Sequence, residues 1–292
     1  SLYPRLVVTS ITPFGQTGPY AHYVGTDLTL LAQGGLLNLM GRPGEPPTQA
    51  AGEQAYAMAC MFAAVGSMLA LLHAQASGQG QHVDVSVQEC VVMALENAAQ
   101  LYDLEHKVRA RVGTEQRYAG TGIFRCADGY IYIFAGGMAA ARFWGNLVRW
   151  LVEENAAGSE MLQGEAWRDM AYVNSDAAKE VFTRVFGEYV RDKTKHGLYH
   201  EAQRRRIPVC PVNTPADIAA SPQLHARGFF ARAWHQGSGR MVQMPGAPYR
   251  LSATPWALRR PAPQLGADNA EVYAAVGLAA PELQQLVETG VV

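Results

Sequence analysis

The sequence predicts an α/β fold in two parts: a layer of parallel strands with helical crossovers, then a smaller α+β unit. Three observations lead there. Short β-branched runs alternate with long apolar helical stretches in the first third of the chain. A basic stretch interrupts the pattern, and a hairpin signature follows it. The 292 residues are 49% hydrophobic and 17% charged, enough apolar material for a substantial core in two domains, or in one with an insertion.

Taken in order, Leu6 to Ile11 is a β-branched apolar run of the kind found in buried parallel strands. Pro13 and the stretch from Gly15 to Pro19 break it into a loop. Leu28 to Leu39 reads as a helix closed by Gly41, and a proline-rich loop at 42–49 leads into the next helix. From Gln54 to Leu72 no residue carries a formal charge, which is long enough to raise a transmembrane reading. Its many Ala, Gly and Ser residues instead suit a helix buried inside an α/β layer, ended by Gly78 and Gly80. His82 to Val87 alternates as a strand, and Gln88 to Leu101 is helical again.

Lys107, Arg109, Arg111 and Arg117 mark a solvated connector and a domain boundary. Gly122 to Phe134 reads as a hairpin turning at Asp128-Gly129. Helices are expected near 140–153, 175–192 and 198–205, and short strands such as Met241 to Met244 lie among the prolines after Ile207.

Several function classes lose their support. A formal net charge of -1 offers nothing to neutralise a phosphate backbone, so no nucleic-acid partner is expected. The four cysteines, Cys60, Cys90, Cys126 and Cys210, are scattered without a C-x-x-C pair, which points to a reducing, cytoplasmic location and to no structural metal. The start of the chain has no signal-peptide layout. The glycine pairs Gly78/Gly80 and Gly120/Gly122 lack the third glycine of a dinucleotide loop. Gly66-Ser67 is not a nucleophile elbow, and Arg204 stands where a zinc-protease His would follow His200-Glu201.

Six strings nevertheless occur together and in order: Leu6 to Pro19; Gly25-Thr26-Asp27 through Gly34-Gly35; Ala64 to Leu72 with Ser77 to Ser86; Cys126 to Tyr130; Ile207 to Val212; and Pro263 to Gly266. Together they resemble the family III CoA-transferases, of the formyl-CoA and carnitine-CoA type, over nearly the whole chain. The last string departs from the family pattern, with Ala267-Asp268 in place of Glu-His. The resemblance implies a Rossmann-like large domain, incomplete at its N-terminus, plus a small α+β domain. The expected division is 1–106 in the large domain, 107–117 as linker, 118–206 as the small domain, and 207–292 returning to the large one. Relatives begin well upstream, so the chain is expected to be a piece of a longer fold that starts on an inner strand lacking a sheet partner.

The resemblance further implies an acyl-CoA and a carboxylic acid as substrates, no permanently bound cofactor, no membrane partner and an interlocked homodimer. Its chemistry needs a carboxylate nucleophile that forms a mixed anhydride and then an enzyme–CoA thioester. Relatives carry it as an Asp at the start of the helix after the proline loop, where free N–H groups favour negative charge. Ungapped counting from three flanking motifs places that position at Tyr56. Glu53, one helical turn upstream, is the nearest carboxylate, with two readings: a substitute nucleophile, or a first-turn or capping glutamate that needs no chemistry.

Ser10, Thr12, Phe14, Gly15 and Gln16 are candidate CoA-binding residues because they lie just past a strand's carboxyl end, and the resemblance adds Thr26 and Asp27, whose loop in the family lies near CoA. Asp27 also has a structural reading. Arg204 to Arg206 are read as a solvated helix end against a CoA-phosphate contact, and Gln116 to Gly122 as a glycine-poor counterpart of the family's lid. An acyl-CoA racemase shares the fold, but Thr26 and Tyr56 replace its His and Asp. A non-catalytic acyl-CoA-binding homologue or partner subunit is the other alternative.

Overall fold

Parallel pairing of two distant strands organises the first part of the molecule. In the computed structural model, which describes residues 2–95, 97–113, 116–136 and 141–292, β1 (Val8–Thr12) lies in register beside β2 (His82–Ser86). The expectation that β1 lacks a sheet partner is thereby corrected: the helical crossover returns the chain beside it. Glycine permits the approach, since a Cβ on Gly80 would sit 1.9 Å from the Leu6 carbonyl oxygen.

The crossover holds α1 (Asp27–Gln33), α2 (Leu36–Leu39) and α3 (Gln54–Ser77). The single helix expected over 28–39 is broken at Gly34-Gly35. Gly35 adopts φ +84°, and a side chain on Gly34 would run into Val91 at 2.5 Å. After β2 come α4 (Val87–Met93) and α5 (Ala98–Glu105), again two helices where one was expected.

α3 corrects the sequence reading most. It is long and apolar enough to cross a membrane by length and composition. It is not buried all round, however. Ala55, Ala59, Ala63, Ala70 and Ala74 are buried, and Gly66 and Ser67 face the strands: Ser67 Oγ lies 2.6 Å from Thr9 Oγ1, and a Cβ on Gly66 would meet Val83 at 3.0 Å. The large side chains point away, with Phe62 45% and Leu69 62% exposed. Small residues recurring at helical spacing let the backbone approach the sheet, which leaves the bulky ones on the far side.

The second core lies in residues 118–212. β3 (Thr121–Cys126), β4 (Gly129–Phe134) and β5 (Val209–Pro211) form an antiparallel sheet in the order β3-β4-β5. The hairpin's two-residue turn is Ala127-Asp128; Gly129, at φ +147°, already opens β4. β5 belongs to this sheet although it lies beyond residue 206, because its pairing with β4 is set by register rather than by the proline signal. The helices α6 (Ala141–Glu153), α7 (Met170–Asn174), α8 (Asp176–Val190) and α9 (Lys195–Arg204) accompany the sheet. Trp150, Phe182 and Phe186 are fully buried with Ile131 and Ile133.

The connector is tied down rather than free. The Arg111 guanidinium donates to the carbonyls of Asn38, Arg42 and Glu45 at 3.1, 3.3 and 3.0 Å. Residues 213–292 form a separate compact unit. It contains α10 (Pro215–Ala219), α11 (Pro222–Ala226), the hairpin β6 (Phe230–His235) and β7 (Arg240–Pro245), then α12 (Asn269–Ala275) and α13 (Ala280–Glu288).

All four cysteines are free thiols: Cys90 and Cys126 are buried, Cys60 and Cys210 exposed. Burial pushes the Cys90 and Cys126 thiols up from their ordinary pKa, leaving less thiolate. Brief iodoacetamide treatment of the folded protein at pH 8 is expected to alkylate Cys60 and Cys210 first. Peptide mass spectrometry showing equal labelling of Cys90 and Cys126 would contradict this packing.

Candidate active site

The carboxyl ends of the parallel strands and the start of α3 converge, and Asp27 joins them. Its side chain is 9% exposed. Asp27 Oδ1 accepts the Ala55 N–H at 2.7 Å and the Tyr56 N–H at 3.4 Å, so the first residue of α1 supplies the side-chain cap of α3. Oδ2 is buried without a hydrogen-bond partner among the described residues. Thr26 precedes α1 and is closed on Thr29: its N–H donates to Thr29 Oγ1 at 2.7 Å, and that hydroxyl donates back to the Thr26 carbonyl at 2.9 Å.

Tyr56 is half-buried in the first turn of α3, and its hydroxyl donates to the Gly25 carbonyl at 3.2 Å. Glu53 occupies the N-cap position through its backbone, its carbonyl accepting the Ala57 N–H at 3.0 Å. Its side chain makes no capping bond, which corrects the capping-glutamate reading: Asp27 already fills that role. The Glu53 carboxylate is exposed at the positive end of a 24-residue helix.

The loop after β1 folds over the end of β2. The Gln16 N–H donates to Asp84 Oδ2 at 2.9 Å, and the Gln88 N–H donates to the Pro13 carbonyl at 3.0 Å. Gly15 sits there at φ +81° beside Asp84 and Ser86. Phe14 packs edge-on against Tyr20 and Tyr23 at 5.9 and 6.4 Å. Ser10 Oγ shares a hydrogen bond with His82 Nε2 at 2.9 Å, and the buried Thr12 Oγ1 has no partner among the described residues. His82 and Asp84 lie within the family string Ser77 to Ser86, but the sequence reading gave neither of them a site role.

Two other sequence candidates resolve into structural ties. Arg204 and Arg205 both pair with Glu201, and Arg205 reaches Glu153 at 3.5 Å. Gln116 Nε2 donates to the Lys179 carbonyl and to Thr183 Oγ1 at 3.0 and 2.5 Å, which moors the start of the lid-like segment to α8. Residues 114 and 115 lie outside the described residues. Gly120 faces Gly136, whose Cβ would lie 1.8 Å from the Ala119 carbonyl oxygen, so glycine serves close approach here.

The profile of CoA-transferase family III matches residues 1–269. The chain belongs to CoA-transferase family III. It is 42% identical over 289 residues to the succinyl-CoA:(R)-benzylsuccinate CoA-transferase subunit BbsE of Thauera aromatica, covering 99% of this chain and 70% of that protein. It is 31% identical over 274 residues to the succinyl-CoA–L-malate CoA-transferase alpha subunit of Chloroflexus aurantiacus, covering 92% of this chain and 61% of the relative. The crystal structure of a CaiB/BaiF family protein from Brucella suis superposes with a TM-score of 0.74 at 26% identity, over 94% of this chain and 68% of that one. This family III chain therefore has the expected α/β fold, and the named relatives are enzymes that transfer CoA.

Replacing Asp27 with Ala leaves the Ala55 N–H unsatisfied in a buried site, which costs about 1–3 kcal/mol of stability. Asp27→Asn keeps an acceptor and loses only the charge–dipole part, about 0.3–1 kcal/mol. Urea unfolding of both variants measures the difference, and equal midpoints for Asp27→Ala and the parent would refute the capping role.

Proposed function

We propose that this family III protein is a subunit of an acyl-CoA:carboxylate CoA-transferase, with Glu53 as nucleophile. The observation that carries the proposal is the exposed Glu53 carboxylate at the N-cap of α3, without a hydrogen bond or ion pair among the described residues. The helix terminus favours negative charge there. Relatives named for succinyl-CoA and for the acids benzylsuccinate, malate and glutarate support succinyl-CoA as donor and a second dicarboxylic acid as acceptor.

In the proposed sequence the Glu53 carboxylate attacks the thioester carbonyl and the C–S bond breaks, giving a mixed anhydride and CoA thiolate. The thiolate attacks the glutamyl carbonyl, which releases the donor acid and leaves a glutamyl–CoA thioester. The acceptor carboxylate then displaces the thiolate to form a second anhydride. Attack of the thiolate on the acceptor's acyl carbon regenerates Glu53. CoA enters and leaves as substrate, and no bound cofactor, metal, nucleic acid or membrane takes part. Ser10, Thr12, Phe14, Gly15, Gln16, Thr26 and Asp27 form or support the CoA end, Asp27 by holding α3 in place. Four free thiols support a cytoplasmic location. The uncovered apolar side chains of α3, Met61, Phe62, Val65, Met68, Leu69 and Leu72, support burial against further chain in an interlocked homodimer.

A second reading is favoured by Tyr56. The register of the family motifs puts the reactive carboxylate at this position, and the phenol present is committed to the Gly25 carbonyl. Here the chain is a non-catalytic subunit whose partner supplies the carboxylate, in keeping with the word subunit in two relatives' names.

Incubation with succinyl-CoA followed by hydroxylamine is expected to leave a hydroxamate on Glu53, read by peptide mass spectrometry. Glu53→Gln is expected to lower transfer at least about a thousandfold, equivalent to ~4 kcal/mol of barrier. An unmodified Glu53 in a protein that still binds CoA overturns the nucleophile assignment and selects the partner-subunit reading.

A further inference from the structure

We propose that the second core, in residues 118–212, holds a ligand site of its own, a cavity that takes an aromatic carboxylate. The cavity has a volume of about 680 Å³, within the roughly 300–1,000 Å³ of small-molecule sites. Its walls include Trp144, Gly145 and Val148 of α6, and Leu162, Trp167 and Arg168 of the segment that follows. The two indoles stack at 4.6 Å between centroids and 26° between planes. Trp167 is held in that pose: its Nε1–H donates to the Met161 carbonyl at 2.9 Å, and Tyr172 meets it edge-on at 5.1 Å. Trp144 also packs against Phe182 at 5.7 Å, so the paired indoles give the cavity a rigid apolar wall.

Gly145 points the same way. It lies inside α6, where glycine weakens a helix relative to alanine. Its backbone does not need glycine, since its φ is outside the left-handed range, and nothing lies within 4 Å of where its Cβ would be. Gly145 is exposed on α6, and a side chain there would project into open space at the cavity's edge. The polar group at the rim is Arg168, whose guanidinium is exposed and makes no ion pair or hydrogen bond among the described residues. A free guanidinium beside an apolar slot selects a carboxylate on the ligand.

Calorimetric titration of the full chain with 3-phenylpropanoate and its uncharged amide tests the site. The acid is expected to bind, Gly145→Leu to weaken it at least about tenfold by filling the slot, and Arg168→Gln to weaken the acid about tenfold while sparing the amide. Should Gly145→Leu not fold, Gly145→Ala narrows the cavity by one methyl in a helix it suits; a raised Tm with weaker binding is expected. Glu53→Gln is expected to leave binding unchanged, which separates this site from the transfer chemistry. No heat of binding with the acid up to about 10 mM, or equal affinity in the filled variants, overturns the proposal. Equal losses of acid and amide on Arg168→Gln overturn the carboxylate assignment.

Discussion

The contact between the Asp27 carboxylate and the first N–H groups of α3 is the constraint on which the first layer depends. A long helix leaves its opening N–H groups without partners, and burying that end without an acceptor costs more than most single side chains contribute. Here the acceptor arrives from α1, across the proline-rich loop. The contact therefore fixes two helices, the direction of the loop between them and the position of Tyr56 in one step. It also frees Glu53. Because Asp27 supplies the cap, the glutamate at the N-cap position has no structural duty for its side chain.

The second constraint is steric. Alanines, Gly66 and Ser67 recur on one face of α3, so its backbone can lie close to β1 and β2. An all-apolar sequence hides this arrangement, because hydropathy does not separate Ala from Leu by size. The bulky residues outnumber the space under the helix and turn outward. A helix of this kind is amphipathic in volume rather than in polarity, so a membrane span, a buried core helix and a sheet-packing helix read alike at the level of hydropathy.

How much was legible follows from the range of each interaction. The strands, the end of α3 at Gly78 and the hairpin depend on neighbours in sequence, and they were readable to within a few residues. The break at Gly34-Gly35 was not, because it depends on Val91, far along the chain. The turn shifted by one residue since register, rather than the Asp-Gly signal, selects Ala127-Asp128. At the site, the motifs pointed to the loop after β1 and to Asp27, and the structure places both near the strand ends and the start of α3. The motifs could not show that Asp84 receives the Gln16 N–H, or that Arg204 and Arg205 are committed to Glu201, because a motif names residues without pairing them in space.

Family and activity separate at a single helical turn. A carboxylate suits anhydride chemistry because it is ionised at neutral pH and leaves readily from its own acyl derivatives. A phenol has no carboxyl carbon for the thiolate to attack. Tyr56 thus cannot form the enzyme–CoA thioester, however well the helix end would stabilise a charge there. Glu53 has the right functional group one turn earlier, near the same dipole but on exposed ground, where water competes for every intermediate. Under the proposed function, turnover depends on what covers that helix end: a dry cover favours attack by Glu53, and a partner bringing its own carboxylate leaves this chain a binding role.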